Sequence, residues 1–235
     1  MATIAIYSLK GGVGKSTLAV NLAWCAATLS SRRTLLWDLD PQASASWMLG
    51  EGAARDRAGA LFARTVAPDR LIAPTRFDRL DLLAADSSLR DLNHVLRELD
   101  KKRRLRKLIG ELGDHDVVLL DCPPGLTETA DQVVRAADLI VVPVVPSAFA
   151  QQAWVTIDRQ FGGRVPMLPV HMMVDRRRAL HVEAVERHPD WPVVPMASAV
   201  ENATAQRQPV GVTAPRSAAA AAFAHIWRII EQRRA

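Results

Sequence analysis

Residues 10–17 read Lys-Gly-Gly-Val-Gly-Lys-Ser-Thr and form a glycine-rich turn between two segments of different periodicity. The apolar run Thr3–Ser8 before the turn is typical of a β-strand, and the run Leu18–Ala23 after it is typical of a helix. Such a turn leaves several backbone N–H groups unpaired and aims them, together with the positive end of the helix dipole, at one point. The sequence therefore predicts a loop that binds phosphate.

Two side chains of this turn have specific roles in that prediction. Lys15 would reach the β- and γ-phosphates of a nucleotide, and the Ser16 hydroxyl would ligate Mg²⁺. The general P-loop pattern has a glycine where this chain has Leu9, and the chain carries an additional lysine, Lys10, at the next position. The turn is therefore a variant of the P-loop with a second lysine.

Strand-like runs recur along the chain with helical stretches between them. The further strand-like runs are Thr34–Trp37, Leu80–Leu83, Val117–Leu120, Leu139–Val142, Val165–Val174 and Val193–Val194. Helical periodicity covers roughly 15–29, 88–111, 127–137, 148–160, 179–187 and 217–233. Several strand runs are continuously apolar, as expected for strands that are covered on both faces. We therefore predict an α/β fold, a mostly parallel twisted sheet with helices on both faces, in a single domain spanning 1–235.

Three segments carry further expectations. Residues 50–79 are the least patterned and are predicted to form surface helices and loops. In the last helix, Ser217 is a candidate N-cap, and Phe223, Ile226, Trp227 and Ile230 fall on one face that we expect to pack on the core. The basic run Lys101–Lys107 has acidic neighbours and is predicted to be a solvated helix face.

The composition is that of an ordinary globular protein. The formal net charge is +5, with the excess in residues 1–50 and 175–235, which is compatible with an anionic partner. The two cysteines, Cys25 and Cys122, have no metal-ligand spacing. No apolar run approaches the length that spans a bilayer, and no secretion signal is evident, so we expect a cytoplasmic protein.

Three aspartates follow apolar strands, where they could complete a nucleotide site. Asp38 and Asp40 come at the end of Thr34–Trp37, and alternation points both to the same side, toward the phosphate loop if the strands are neighbours. Asp121 ends the run Val117–Leu120, which is the usual position of the acidic residue that holds the Mg²⁺ shell in P-loop enzymes.

Together, the motifs Lys10–Thr17, Asp38–Gln42 and Asp121–Gly125 resemble those of the ParA/MinD group of deviant Walker-A P-loop ATPases. The chain is most similar to the short ParA type, and the resemblance continues through Val142–Ser147, Met173–Arg177 and Ala214–Ser217. It implies a P-loop NTPase fold of the deviant Walker-A type, with ATP and Mg²⁺ as ligands and an ATP-sandwich homodimer.

The resemblance also assigns roles to individual residues. The backbone amides of Gly11, Gly12, Val13, Gly14 and Lys15 would hold the β- and γ-phosphates, and Thr17 would contact the α-phosphate. Lys10 would reach across the dimer to the partner's phosphates, Asp40 would orient the attacking water, and Asp38 and Asp121 would support the Mg²⁺ water shell. Asp175 and the turn near Pro195–Ser198 are expected to line the adenine pocket.

ParA-like proteins bind DNA without sequence preference as ATP dimers, and a ParB-like or other adaptor stimulates hydrolysis. By resemblance, we expect this chain to be associated with the nucleoid and to move a DNA or protein cargo, whose identity the sequence leaves open. The DNA-binding candidates are Arg176, Arg177, Arg178, Arg207 and Arg216, while Ala199 stands where some relatives have an arginine.

Three alternatives remain open at this point. A membrane-positioning ATPase of the MinD type would need an amphipathic tail, and the chain ends at Arg233–Ala235 directly after the last predicted helix, so we expect no membrane binding. An iron–sulfur reductase on the same scaffold would need paired cysteines at a dimer axis. A nucleotide-gated scaffold without turnover would keep the same binding residues.

Overall fold

The computed structural model of this chain describes residues 1–50, 58–63, 65–98 and 103–233. Its eight strands are β1 Ala2–Ile6, β2 Thr34–Asp38, β3 Ile72–Pro74, β4 Leu80–Leu83, β5 Val117–Asp121, β6 Leu139–Val144, β7 Met167–Val174 and β8 Val193–Pro195. They form one sheet in the order β3-β4-β2-β5-β1-β6-β7-β8. Every pairing is parallel except that of β3 with β4, so the predicted mostly parallel sheet is confirmed.

Helices connect the strands and cover both faces of the sheet. They are α1 Lys15–Leu29, α2 Ser44–Leu49, α3 Ala58–Ala63, α4 Leu92–Glu98, α5 Arg104–Gly110, α6 Glu128–Ala136, α7 Ala148–Phe161, α8 Ala179–Arg187, α9 Ser198–Ala205, α10 Val210–Thr213 and α11 Ala218–Gln232. In the parts of the chain described, no helix combines the length and apolarity that crossing a membrane requires.

The continuous apolar runs of the central strands follow from burial on both faces. In β5, Val117 and Leu119 face one hydrophobic cluster, whereas Val118 and Leu120 face the other. Side chains alternate along a strand, so a strand in the middle of a two-sided α/β sheet has no solvent-facing position for a polar residue. The same constraint buries Asp121 at the end of β5.

The predicted core stripe of the last helix is confirmed. Phe223, Ile226, Trp227 and Ile230 of α11 are buried in the cluster that also holds α1. The Ser217 hydroxyl accepts a hydrogen bond from the Ala220 N–H at 3.1 Å, so Ser217 is the N-cap of α11 as predicted.

Two sequence-based predictions were wrong in detail. The single helix predicted over 88–111 is interrupted, because Arg103 has φ −130° and caps a separate α5. Within the basic run, the Arg104 side chain is buried and its Nε donates to the Phe62 carbonyl at 3.0 Å, so this arginine is not on a solvated face. Lys101 and Lys102 lie outside the described residues.

The region predicted as surface helices and loops, residues 50–79, also contributes to the sheet and core. Within its described part, α3 buries Leu61 and Phe62, and β3 adds an antiparallel edge strand beside β4. A three-residue strand that contains proline carries almost no periodicity, which is why the sequence pattern missed it.

The turn between α9 and α10 is fixed to α1. The side chain of Asn21 accepts a hydrogen bond from the Val210 N–H at 2.8 Å and donates to the Thr17 carbonyl at 2.8 Å. Next to this bond, a Cβ atom added to Gly211 would lie 2.1 Å from the ring of Trp24. Gly211 is therefore required by the close approach of α10 to α1.

We expect Gly211→Ala to lower the free energy of unfolding by about 1–3 kcal/mol, because the added methyl group collides with an aromatic ring that is held between two helices. Urea unfolding measures this change. The matched control is Gly110→Ala in α5, where the added Cβ has nothing within 4 Å, so the stability should not fall and should rise by up to about 1 kcal/mol because alanine favours the helix. Equal effects of the two substitutions would show that the contact with Trp24 is not responsible.

Candidate active site

The carboxyl ends of three adjacent strands form the floor of a cleft. In the register of the sheet, Asp121 of β5 lies opposite Ile6 of β1 on one side and opposite Asp38 of β2 on the other. β5 therefore separates β2 from the strand that enters the phosphate loop. The predicted aspartates lie at this edge, but β1 and β2 are not direct neighbours.

The glycine-rich loop brings the uncapped start of α1 to this edge. Gly14 precedes the helix with φ +87° and ψ 25°, a conformation that favours glycine, and no side chain caps the first turn. The first turn has no acidic residue but contains the basic Lys15. A cation at a helix N-terminus is unfavourable unless an anion binds there, so α1 is arranged for an external anion.

The two lysines of the loop lie in different places. Lys15 is buried, and its Nζ donates to the Lys10 carbonyl at 3.2 Å. The Lys10 ammonium instead lies 4.5 Å from the ring centroid of Phe149, at the start of α7, and Phe149 is 71% exposed. The Lys15 side chain is thus buried within the loop, whereas the Lys10 side chain lies over an exposed aromatic ring.

Asp38 organises the loop that follows β2. One carboxylate oxygen accepts the Asp40 N–H at 3.0 Å, and the other accepts the N–H and hydroxyl of Ser46 at 2.9 and 2.7 Å. Burial raises the pKa of Asp38 to about 6, although the hydrogen bonds from Ser46 favour its ionised form. Both oxygens are occupied, so Asp38 fixes the path of the chain past Asp40 and into α2.

Asp121 differs from Asp38 in the hydrogen bonding of its carboxylate. It is fully buried, and neither carboxylate oxygen accepts a hydrogen bond of normal geometry from a described residue. Burial, and next the charge of Asp38, raise the pKa of Asp121 well above its usual range, and the nearby Ser16 hydroxyl and Lys15 ammonium oppose this only in part. A buried carboxylate that lies beside a serine hydroxyl and has no well-formed hydrogen bond from the described residues fits the ligand shell of a hard divalent cation such as Mg²⁺.

Above these residues lies a cavity of about 1000 Å³. Its walls come from the phosphate loop, the loop after β2, α2, and the segment after β5. The cavity is lined by Gly11, Gly12, Gly14, Lys15, Ser16, Thr17, Asp40, Pro41, Gln42, Ala43, Ser44, Trp47, Met48, Pro123, Pro124, Met173 and Thr204. Val13 is buried and is not among the lining residues. Asp40 is held in the cavity wall because its Oδ1 accepts the Gln42 N–H at 2.9 Å.

A second, apolar cavity of about 450 Å³ adjoins the first and shares Gly14, Thr17, Met173 and Thr204 with it. Residues 195–197 line it, whereas Asp175 is not among its lining residues. The Asp175 carboxylate binds the Arg177 guanidinium through two contacts of 2.9 Å, and this arginine lowers the pKa of Asp175 to about 2. The placement of Asp175 therefore does not support the base-pocket role that the resemblance implied.

The five candidate DNA-binding arginines differ in what they contact. Arg176, Arg178 and Arg216 are exposed, and Arg177 is exposed but paired with Asp175. Arg207 is different, because its guanidinium donates to the carbonyls of Trp47 and Gly50 at the end of α2. The structure thus gives Arg207 partners within the chain, and nothing in the sequence pattern indicated them.

The cysteines do not fit the iron–sulfur alternative. Cys25 is 2% exposed in the core cluster on one face of the sheet, and Cys122 is 1% exposed in the cluster on the other face. Burial raises the pKa of Cys25 to about 12 and raises that of Cys122 as well. Two buried thiols on opposite faces cannot meet their copies at one dimer axis without refolding.

The parallel sheet, the uncapped helix behind a glycine-rich loop and the acidic strand ends define a P-loop nucleotide-binding protein. A protein-family model described as an AAA domain matches residues 1–160. The chromosome partitioning protein ParA of Caulobacter vibrioides (strain NA1000 / CB15N) is 33% identical over 195 residues, which are 77% of this chain and 72% of that protein.

Two further relatives cover nearly the whole chain. The sporulation initiation inhibitor protein Soj of Bacillus subtilis (strain 168) is 25% identical over 243 residues, with 94% of each chain covered. The crystal structure of the cell division ATPase MinD from Pyrococcus furiosus superposes with a TM-score of 0.79 and 26% identity, with 98% of each chain covered. The chain belongs to the ParA/MinD family of P-loop ATPases and is most similar to its ParA partition proteins.

We expect Asp121→Asn to raise the free energy of unfolding of the ligand-free protein by about 1–3 kcal/mol at neutral pH, because it removes a buried ionisable group that has no well-formed hydrogen bond from the described residues. The same substitution should abolish the additional stabilisation that Mg²⁺ gives in the presence of ADP. Denaturant unfolding with and without each ligand measures both effects.

The matched control is Asp38→Asn on the neighbouring strand. It removes an acceptor that Ser46 and Asp40 use, so it should destabilise the ligand-free protein. If Asp121→Asn also destabilised that protein, a structural role would replace the interpretation of Asp121 as a metal-shell residue.

Proposed function

We propose that this protein is a Mg²⁺-dependent, ParA-like ATPase whose ATP-bound homodimer binds DNA without sequence preference. Hydrolysis, stimulated by a ParB-like or other adaptor, releases the protein from DNA and so segregates or positions a cargo. Membership of the ParA/MinD family supports the coarser part of this proposal, a P-loop ATPase for segregation or positioning. In this view the chain is a single ATPase domain that acts in the cytoplasm on the nucleoid.

The observation that carries the proposal is the N-terminus of α1, which has no side-chain cap among the described residues, with its Lys15 and Ser16 close to the buried carboxylate of Asp121. The helix end and Lys15 require an anion, and Asp121 beside Ser16 requires a cation. A nucleoside triphosphate with its Mg²⁺ supplies both charges at once. The adjoining apolar cavity has the size and lining to accept a base, with Met173 and Thr204 at the junction.

In the proposed reaction each residue acts on charge or position. The amides of residues 11–15 and the Lys15 ammonium hold the β- and γ-phosphates, and Thr17 contacts the α-phosphate. Ser16 would hold Mg²⁺, and Asp121, together with Asp38, would support its water shell; when bound there, the ion would supply positive charge to the phosphate oxygens. Asp40, held in the cavity wall by its own turn, orients the attacking water.

Lys10 is proposed to complete the site of a partner subunit. Its ammonium lies on Phe149 at the rim and its side chain is not part of the cavity lining, so it contributes no charge to its own phosphate site in this conformation. Phe149, which carries the Lys10 ammonium, is a largely exposed apolar residue, which suits a face that another copy covers. Catalysis would then depend on dimerisation, because one cation comes from each partner.

The DNA-binding surface is proposed to include Arg176, Arg177, Arg178 and Arg216. The first three follow β7 on an exposed turn, and Arg177 is restrained by Asp175. Phosphate contacts from such residues give affinity without sequence preference. Arg207 is left out of the surface, because its guanidinium is bound to α2.

We expect Lys10→Ala to keep ADP affinity within about threefold while turnover falls about 100-fold or more, because a charge supplied by the partner is missing from the transition state. Lys15→Ala should instead weaken ADP binding at least about tenfold, because it removes a charge-assisted contact to the phosphates. Calorimetry, phosphate release and light scattering measure binding, turnover and the ATP-dependent dimer. Equal loss of ADP affinity in both variants would place Lys10 in its own site and contradict the dimer mechanism.

We expect Asp40→Ala to bind ATP and accumulate as a DNA-bound dimer, because the water can no longer be oriented. In that background Arg176→Ala and Arg178→Ala should each weaken DNA binding and reduce the slope of log K against log salt by about one. Fluorescence anisotropy at several salt concentrations measures both quantities. An adaptor captured with this trapped protein would identify the cargo.

The matched control for the DNA experiment is Arg187→Ala, on the far end of α8, where the guanidinium is paired with Glu183 at 2.6 Å. It should leave the salt slope unchanged. Binding to anionic vesicles that survives loss of Arg176 and Arg178, with no DNA binding, would favour the membrane-positioning alternative.

A further inference from the structure

Arg207 occupies a strained backbone position at the end of α9. Its φ is +54°, in the left-handed region where a non-glycine residue costs about 1–2 kcal/mol. The Arg207 N–H donates to the Thr204 carbonyl at 2.9 Å and the Gln208 N–H to the Ala203 carbonyl at 2.9 Å, which closes the end of the helix. Glycine is the usual residue at such a position, and the contacts of the Arg207 side chain offset the cost of this backbone conformation.

The compensating contacts all lead to α2. The Arg207 Nε donates to the Trp47 carbonyl at 2.6 Å, one terminal nitrogen donates to the Gly50 carbonyl, and the guanidinium lies 5.2 Å from the Trp47 ring centroid. Arg76 strengthens this connection between α9 and α2, because it donates to the Arg207 carbonyl and, at 3.2 Å, to the Met48 carbonyl. The free carbonyls at the end of α2 are thus capped by two arginines from distant parts of the chain.

These contacts of Arg207 and Arg76 with α2 connect two walls of the candidate site. On one side, Thr204 of α9 lines both cavities. On the other side, Trp47 and Met48 of α2 line the phosphate cavity, and the start of α2 is tied to Asp38 through Ser46. Asp40 lies in the short loop between Asp38 and α2, where its backbone and carboxylate are bonded to Asp38 and Gln42, so a displacement of α2 would be passed to this loop.

The turn between α9 and α10, which contains Arg207, is also tied to α1. Val210, three residues after Arg207, is bonded to Asn21 of α1, and Asn21 is bonded to the Thr17 carbonyl. The turn is therefore fixed to the phosphate-loop helix on one side and to α2 on the other. A shift of α9 that accompanies filling of the apolar cavity would move α2 through Arg207.

We infer that Arg207 is a positioning residue that couples the wall of the apolar cavity to the Asp40 loop, so that a base in the cavity places Asp40 for hydrolysis. The inference rests on the proposed ATPase function and adds to it a link between base binding and catalysis. Asp40 acts on the substrate, and Arg207 acts only through α2.

The test is Arg207→Gly, which suits the left-handed backbone and so preserves the turn. We expect kcat for ATP to fall about tenfold, because α2 and the adjoining Asp40 loop are no longer tied to α9, while ADP affinity stays within about threefold. Arg207→Lys, which retains a charged donor, should recover part of the loss. Phosphate release and calorimetry separate the two quantities.

The fluorescence of Trp47 reports on the proposed coupling between the apolar cavity and α2. The contribution of Trp47 to fluorescence is obtained by subtracting the same protein with Trp47→Phe. Because Trp47 lines the phosphate cavity, pyrophosphate measures the change that phosphate alone causes in this contribution. We expect ADP to cause a further change in the wild-type chain, because only ADP fills the base cavity. In Arg207→Gly this further change with ADP should be lost.

The matched control is Arg79→Gly, an exposed arginine that also has positive φ, +60°. Arg79 precedes β4 at the amino edge of the sheet, where it contacts the Ser31 carbonyl at 3.3 Å. This variant should leave kcat, ADP affinity and the Trp47 signal unchanged.

Three results would overturn the inference: an unchanged kcat and Trp47 response in Arg207→Gly, a loss of kcat matched by Arg79→Gly, or a loss of DNA affinity alone in the Asp40→Ala background. The last result would make Arg207 a DNA contact. If the wild-type chain did not hydrolyse ATP, the proposed function would fail, and the Trp47 response to ADP would still decide whether Arg207 links the two walls.

Discussion

The position of β5 between β1 and β2 determines how the site is built. A central strand of a sheet covered on both faces can carry only apolar side chains until it ends, and Asp121 is the first polar residue after that run. Its carboxylate is therefore buried beneath the phosphate loop, with Asp38 opposite it on β2. The same strand order brings the start of α1 above both carboxylates, so the charges of the site follow from the topology of the sheet.

This arrangement is unfavourable for the protein alone. A lysine stands at the positive end of a helix, the buried carboxylate of Asp121 has no well-formed hydrogen bond from the part of the chain that the structure describes, and a second buried carboxylate, Asp38, lies on the next strand. Each group would be stabilised by a ligand of opposite charge, and each is held in place by the rigid sheet before that ligand arrives. Fixed, preoriented charges of this kind are what phosphoryl transfer requires, because they need little reorganisation during the reaction.

The parts of the fold that depend on local pattern could be predicted from the sequence. The core face and N-cap of α11, the parallel sheet and the convergence of Lys15, Ser16 and the acidic strand ends follow from periodicity and motif spacing. The interruption at Arg103 could not be predicted, since the basic run on both sides keeps helical periodicity. The partners of Arg207 could not be predicted either, because they lie about 160 residues away in sequence and the positive φ of an arginine leaves no compositional trace.

The resting place of Lys10 on Phe149 has a kinetic consequence. An ammonium over a solvent-exposed ring gains only about 0.5–1 kcal/mol, which is one to two times the thermal energy at room temperature. Side chains held this weakly exchange between rotamers within about nanoseconds. Release of this lysine is therefore far too fast to limit the rate of any slower step, such as the encounter of two subunits or the loading of a nucleotide.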